Sequence, residues 1–156
     1  NLVKKSTFYA NYNDMGALIA ELSNEVLNTM FSVLEEALEG TYPVSKADEI
    51  KALSVLLTYM ADNRDLFCTL YSHDESSLFV RHMTQYCIKK FNLEEKCLFD
   101  RYACLYSAVG SFTVSRQWLE ENCPCKAEEL AELISLQSHF ICTTKGAEKW
   151  PSIKRR

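Results

Sequence analysis

The chain has 156 residues, of which 47% are hydrophobic and 24% are charged, which is the composition of a single folded domain with a real core. The net charge of −4 and the isoelectric point near 5.4 argue against a protein that coats nucleic acid with its whole surface. No apolar run approaches the roughly 20 residues of a transmembrane helix, so we expect no membrane association.

The first predicted element is a polar segment that contains no acid before Asp14. Its cations, hydroxyls and amide can all donate hydrogen bonds to phosphates or base edges, and the candidate DNA-binding residues are Lys4, Lys5, Thr7, Tyr9, Asn11 and Tyr12. The pair Asn13-Asp14 then favours the start of a helix, and an apolar pattern follows directly. This order predicts a DNA-reading element that runs straight into a long helix.

Apolar residues recur every three or four positions through the rest of the chain, which predicts a series of amphipathic helices. Ser45 is expected to cap the second helix, and Asp62-Asn63 to restart the chain as a third. The predicted helical stretches lie at about 15–40, 45–60, 62–71, 79–91, 96–121 and 127–141. No segment alternates with period two, so we predict an all-α fold.

Three stretches resemble TetR-type transcriptional regulators. The run from Lys5 to Leu18 resembles their recognition helix and linker, Asn63-Arg-Asp-Leu-Phe67 is similar to a step after their linker region, and residues 102–130 look like their last two helices with the turn between. The resemblance implies that the chain begins within a helix-turn-helix whose two preceding helices are needed for DNA binding. It divides the chain into the end of a DNA-binding domain at 1–22, an effector and dimerisation domain at 23–146, and a basic tail at 147–156.

The resemblance also implies function. We expect a homodimer that binds double-stranded operator DNA and is released, as a repressor, by a small hydrophobic effector. Aromatic and sulfur-containing residues of the middle helices are the candidate effector site, namely Tyr59, Phe67, Tyr71, Met83, Tyr86 and Tyr106. No Lys, Arg or acid lies on those faces, so the expected ligand is uncharged. The same residues also fit a plain hydrophobic core, in which case the protein would respond to a protein partner.

Dimerisation is predicted from small residues in the fifth helix. Ala103, Ser107, Gly110 and Ser111 form a stripe that lets a second helix approach closely, and a Gly within a helix costs about 1 kcal/mol relative to Ala unless packing requires it. In the family that the chain resembles, the last two helices form a four-helix bundle with those of a twin subunit. The expected interface residues are Tyr102, Ser107, Gly110, Ser111, Leu130, Ile134, Gln137 and Ile141.

Seven cysteines, an odd number in helical positions, are read as reduced thiols in a cytoplasmic protein rather than as a disulfide framework. Cys123-Pro-Cys125 leaves a helical thiol or metal sensor as the alternative, although a zinc site needs four ligands and only two cysteines are local. We therefore predict no metal and no cofactor. No nucleophilic triad, phosphate-binding Gly loop or pair of catalytic carboxylates is apparent, so we do not expect an enzyme.

Overall fold

The computed structural model describes the backbone of residues 15–40, 44–72 and 78–143, and the side chains of residues 17–18, 20–40, 44–70 and 79–137. Within these residues all regular structure is helical, so the prediction of an all-α fold is confirmed. The α-helices are α1 (Met15–Ala37), α2 (Lys46–Asp62), α3 (Arg64–Ser72), α4 (Leu78–Lys90), α5 (Leu98–Glu120) and α6 (Ala127–Thr143). None of these helices is long and apolar enough to cross a membrane.

Helix α1 is the long helix that the apolar periodicity predicted. Its buried side chains recur at helical spacing and face α2 and α4, and they are Ser23, Val26, Leu27 and Met30. The helix ends in a turn that reaches Gly40, whose φ of +76° lies in the left-handed region that glycine adopts without steric cost.

Helix α2 begins at a complete capping box, as the Ser45 signal predicted. The Ser45 hydroxyl accepts a hydrogen bond from the backbone N–H of Asp48, and the Asp48 carboxylate accepts one in return from the Ser45 backbone N–H at 3.0 Å. The Ser45 hydroxyl also donates to the Asp48 carboxylate at 2.6 Å, and this bond together with the one from the Ser45 N–H lowers the pKa of Asp48. Asn63 then separates α2 from α3, and its own amide donates to the carbonyl of Tyr59.

Helix α4 leads into α5 through a 3₁₀ turn at Leu93–Glu95. Asn92 precedes this turn with a left-handed φ of 48°, and the turn buries Leu93 completely. Helix α5 is 23 residues long and is capped by the preceding Cys97, whose sulfur accepts a hydrogen bond from the backbone N–H of Asp100. The ends predicted from the sequence, 96 and 121, lie within two residues of the observed ends.

The turn between α5 and α6 is fixed by backbone and side-chain hydrogen bonds. The N–H of Cys123 bonds to the carbonyl of Trp118, and that of Asn122 to the carbonyl of Leu119, which together form a Schellman motif with Asn122 in the left-handed region. The Trp118 indole N–H donates to the carbonyl of Cys125 at 2.9 Å. From α3, Arg64 donates through Nε to the Leu119 carbonyl at 2.8 Å, so the C-terminal end of α5 is anchored from two sides.

The helices surround one hydrophobic core. Helix α6 packs most extensively on α2, α1 packs on α4 and α2, and α5 packs on α4, α6 and α3. The largest side chains of this core that are fully buried include Leu27, Leu57, Met60, Phe67, Phe79 and Leu119. Side chains of α1, α2, α4 and α5 line a space between these helices.

Candidate functional site

A cavity of about 610 Å³, half open to solvent, lies between the helices. This volume falls in the range of small-molecule sites in proteins. Helix α1 lines it with Leu27, Met30, Phe31 and Leu34, and α2 with Leu53, Leu56, Leu57 and Met60. Further apolar walls come from α4, the 3₁₀ turn, α5 and α6, with Met83, Cys87, Phe91, Leu93, Phe99, Ala103, Cys104, Ala108, Phe112 and Ile134.

One side of the cavity carries hydroxyl groups instead of large side chains. Ser107, Ser111 and Ser115 follow one another at four-residue spacing on α5 and so share one face of that helix. The Ser115 hydroxyl donates to the Ser111 carbonyl at 2.8 Å, which leaves its oxygen able to accept. Small polar side chains on this face leave the volume that larger residues would fill.

Three charged side chains also line the cavity, namely Glu49, Lys96 and Asp100. Lys96 and Asp100 are exposed and of opposite charge, whereas Glu49 is half-buried in the first turn of α2. The Glu49 carboxylate accepts a hydrogen bond at 3.0 Å from the hydroxyl of Ser135, a fully buried residue of α6. The absence of charge was predicted for the faces of the six candidate effector residues, and this cavity differs from that prediction in having charged side chains in its lining.

Of the five residues predicted for the effector site whose side chains are described, only Met83 lines the cavity. Phe67 is fully buried and meets Tyr59 edge to face, with ring centroids 6.2 Å apart, so this pair belongs to solid core. Tyr86 stacks behind the cavity wall on Phe31 at 5.0 Å. Tyr106 is 68% exposed on the outer surface. The side chain of Tyr71 lies outside the described residues.

The sequence signal that could have found this cavity is the small-residue stripe of α5. Ala103, Ser107 and Ser111 belong to the stripe from which dimerisation was predicted, and the structure places all three along the cavity. A stripe of small side chains marks a place where neighbouring volume is left open. The pattern alone does not tell whether a second helix or a ligand occupies that volume.

Ser107, Ser111 and Gly110 also line a second, outward-facing groove of about 240 Å³ between α5 and α6. A Cβ added at Gly110 would meet no atom within 4 Å, so the helices on this face leave open space. Large apolar side chains are exposed around the groove, and they include Tyr102, Tyr106, Val114, Leu133 and Leu136. We call these five residues together with Gly110 the outer face.

The outer face agrees only in part with the predicted dimer interface. Gln137 lines the groove and Tyr102 is 52% exposed, but Leu130 and Ile134 are each only 5% exposed because they pack into the core. On α6 the exposed apolar positions are instead Leu133 and Leu136, which lie a residue or two along the helix and hence on a different side. The side chain of Ile141 lies outside the described residues.

The two cysteines of the α5–α6 turn have different environments. Cys123 is half-buried, and burial raises the pKa of its thiol, whereas Cys125 is exposed. Among the side chains that the structure describes, no group of three or more potential metal ligands comes together. The cysteine pair therefore carries no argument for a metal centre from its described surroundings.

The predicted DNA-binding residues Lys4, Lys5, Thr7, Tyr9, Asn11 and Tyr12 lie outside the described residues, as does the tail at 147–156. Comparisons of the chain with protein-family models, with curated proteins and with solved structures found no match. The cavity and the outer face are thus the two features of the described structure that bear on function.

Proposed function

We propose that this chain belongs to a TetR-type DNA-binding regulator, a repressor released by a small molecule, in which residues 1–22 contribute to DNA binding and residues 23–146 form the effector-binding and dimerisation domain. The observation that carries the proposal is that α1 lines the cavity with four side chains, the most N-terminal of which is Leu27. In the sequence, α1 follows directly on the segment that resembles a recognition helix. A ligand in the cavity would therefore touch the helix that leads to the DNA-reading end.

Contacts between α1 and α4 support α1 as the responding element. Phe31 lines the cavity and also stacks on Tyr86 of α4. One turn later, Glu35 forms an ion pair with Lys90 at 2.7 Å, and this hydrogen bond raises the pKa of Lys90. A ligand that displaces Phe31 would act on the same α1–α4 packing. The ligand would shift the free-energy difference between the DNA-binding and non-binding states by the difference between its binding free energies for those two states.

The outer face supports the dimer. Five large apolar side chains exposed on two neighbouring helices form a patch of a kind that marks interaction sites. Ser107, Ser111 and Ile134 line both the groove on this face and the inner cavity, so only one layer of residues separates the two. Cavity occupancy and subunit packing would share that layer.

The cavity favours a small molecule over a protein partner as the effector, because a protein partner needs no interior volume of this size. The thermal shift that an effector produces should be abolished by Met83→Trp, which places a large ring where a cavity-lining side chain stands. A shift that survives Met83→Trp would move the effector to another surface.

An electrophoretic mobility shift of the full-length protein on its own upstream DNA tests the regulator itself. Lys5→Ala and Tyr9→Phe should each weaken operator binding by about 1–3 kcal/mol if their contacts are close. Lys51→Ala removes an exposed cation from α2 and is the matched control, for which we expect unchanged affinity. Unchanged operator affinity in both N-terminal variants would contradict the DNA-contact assignment.

A further inference from the structure

The charge inside the cavity points to the chemical class of its ligand. Glu49 is a half-buried acid, and none of the ion pairs within the described residues involves it. The Glu49 carboxylate accepts a hydrogen bond from Ser135, which holds one of its oxygens in place and neutralises no charge. A carboxylate in mostly apolar surroundings is stabilised by a cation more strongly than it would be in water.

The other charged groups that line the cavity offset each other. Lys96 and Asp100 are four residues apart at the start of α5, and both side chains are exposed. Among the lining residues that the structure describes, Glu49 therefore provides the net charge, which is negative. Its position in the first turn of α2 also suits a negative group, since the helix N-terminus carries partial positive charge.

The aromatic walls favour the same class of ligand. Phe31, Phe91, Phe99 and Phe112 line the cavity. The face of an aromatic ring attracts a cation, most strongly where water is excluded. We propose that the cavity selects hydrophobic monocations, with Glu49 as the counter-charge and the phenylalanine rings as the apolar enclosure. This inference rests on the proposed function, because it specifies the effector of the same cavity.

Tetraphenylphosphonium and tetraphenylborate test the inference, because these two ions share one shape and differ in the sign of their charge. Isothermal titration should show that tetraphenylphosphonium binds at least about tenfold more tightly, as expected for an opposite charge in a partly buried site. Glu49→Gln keeps the size of the side chain and removes its charge, and it should reduce this preference by about tenfold. Glu132→Gln removes an exposed acid from α6 and should leave the preference unchanged.

Equal affinities of the wild-type protein for the two ions would overturn the inference, and so would a preference that survives Glu49→Gln. The wild-type comparison needs no variant, so it decides the matter even if Glu49→Gln fails to fold. Met83→Trp should block both ions, and binding that persists in it would place them outside the cavity and overturn the inference as well. The mobility shift on operator DNA is measured without these ions, so its result decides the regulator proposal separately.

Discussion

The two halves of α5 are built differently. The C-terminal half, from Ser111 to Glu120, contains all of the buried residues of the helix, which are Phe112, Ser115, Trp118 and Leu119. The N-terminal half, from Leu98 to Gly110, contains small side chains along the cavity and two exposed tyrosines, Tyr102 and Tyr106. The C-terminal half, which we call the solid half, thus contributes to the core although Ser111, Phe112 and Ser115 also line the cavity. The N-terminal half, which we call the open half, has no buried residue.

This difference teaches how an open site is held in a small helical protein. The solid half is fixed by the Arg64 bond to the Leu119 carbonyl and by the Trp118 bond to the Cys125 carbonyl. Because both halves belong to one continuous helix, anchoring one end also positions the other. Substitutions in the solid half should therefore reduce stability, while those in the open half should change binding or assembly.

The largest effect is expected from Trp118→Ala. Trp118 is 5% exposed and donates a hydrogen bond to the Cys125 carbonyl, so its truncation removes both core packing and this hydrogen bond. The free energy of unfolding should fall by about 3–5 kcal/mol. Urea unfolding followed by circular dichroism measures the change.

Tyr106→Ala is the matched control for that substitution. It removes an aromatic ring of similar kind from the open half, where Tyr106 is 68% exposed. We expect a change within about 0.5 kcal/mol for the monomer. Equal losses in the two variants would show that both halves of α5 contribute to the core alike, and would end the distinction.

The second prediction concerns the thiol of Cys87, a residue of α4 that lines the cavity and is 1% exposed. Burial raises its pKa from 9.0 to about 11. Because the thiolate is the reactive form, alkylation at pH 8 should be about a hundredfold slower than for an unperturbed thiol. Mass spectrometry after timed iodoacetamide treatment measures the rate, with the exposed Cys97 and Cys125 as internal references.

The same pKa shift has a consequence for stability. Since the folded-state pKa of Cys87 lies above that of the unfolded chain, its contribution to stability is fully present below pH 9 and is lost as the pH rises toward 11. Cys87→Ala should flatten this alkaline loss of stability. If Cys87 is instead alkylated at pH 8 as fast as Cys97 and Cys125, water reaches its thiol and the raised pKa is contradicted.

The third prediction uses Gly110→Leu to separate assembly from folding. A side chain at Gly110 meets open space in the monomer, and a helix gains up to about 1 kcal/mol when glycine is replaced, so folding should be preserved or improved. On the outer face the bulky leucine would hold a second subunit away, and dimer affinity should fall about tenfold or more. Analytical ultracentrifugation measures this, with Gly110→Ala as the smaller step. An unaltered dimer would place the interface elsewhere.

The fold was largely predictable from the sequence because its signals are local. Ser45 with Asp48 marks the start of α2, and apolar residues at helical spacing mark the body of each helix. The turn after α5 was placed correctly, but a second left-handed residue, Cys123 after Asn122, was not foreseen, because cysteine is not a residue that marks this conformation. Local chemistry decides where helices begin and end.

The site was less predictable because it depends on which side of each helix faces which neighbour. A single residue along a helix rotates a side chain by about 100°. That is enough to put Ile134 in the core and Leu133 outside. Glu49 was missed for a further reason: an acid in the first turn of a helix is usually explained by the helix dipole alone. Its neighbour Ser135 is 86 residues away in the chain.

The smallest effect is expected at the capping box of α2, the helix that places Glu49 in the lining of the cavity. Ser45→Ala removes the cap and should lower the free energy of unfolding by about 1 kcal/mol at pH 7. Because the pKa of Asp48 is lowered below 3.8 by its bonds to Ser45, this contribution is present above about pH 4 and is lost as the pH falls through the folded-state pKa. The difference in the free energy of unfolding between wild type and Ser45→Ala should therefore be smaller at pH 3 than at pH 7. Ser32→Ala, at an exposed position within α1, should show no gap of this kind at either pH. A gap that is the same at both pH values would mean that the Asp48 carboxylate does not support the cap.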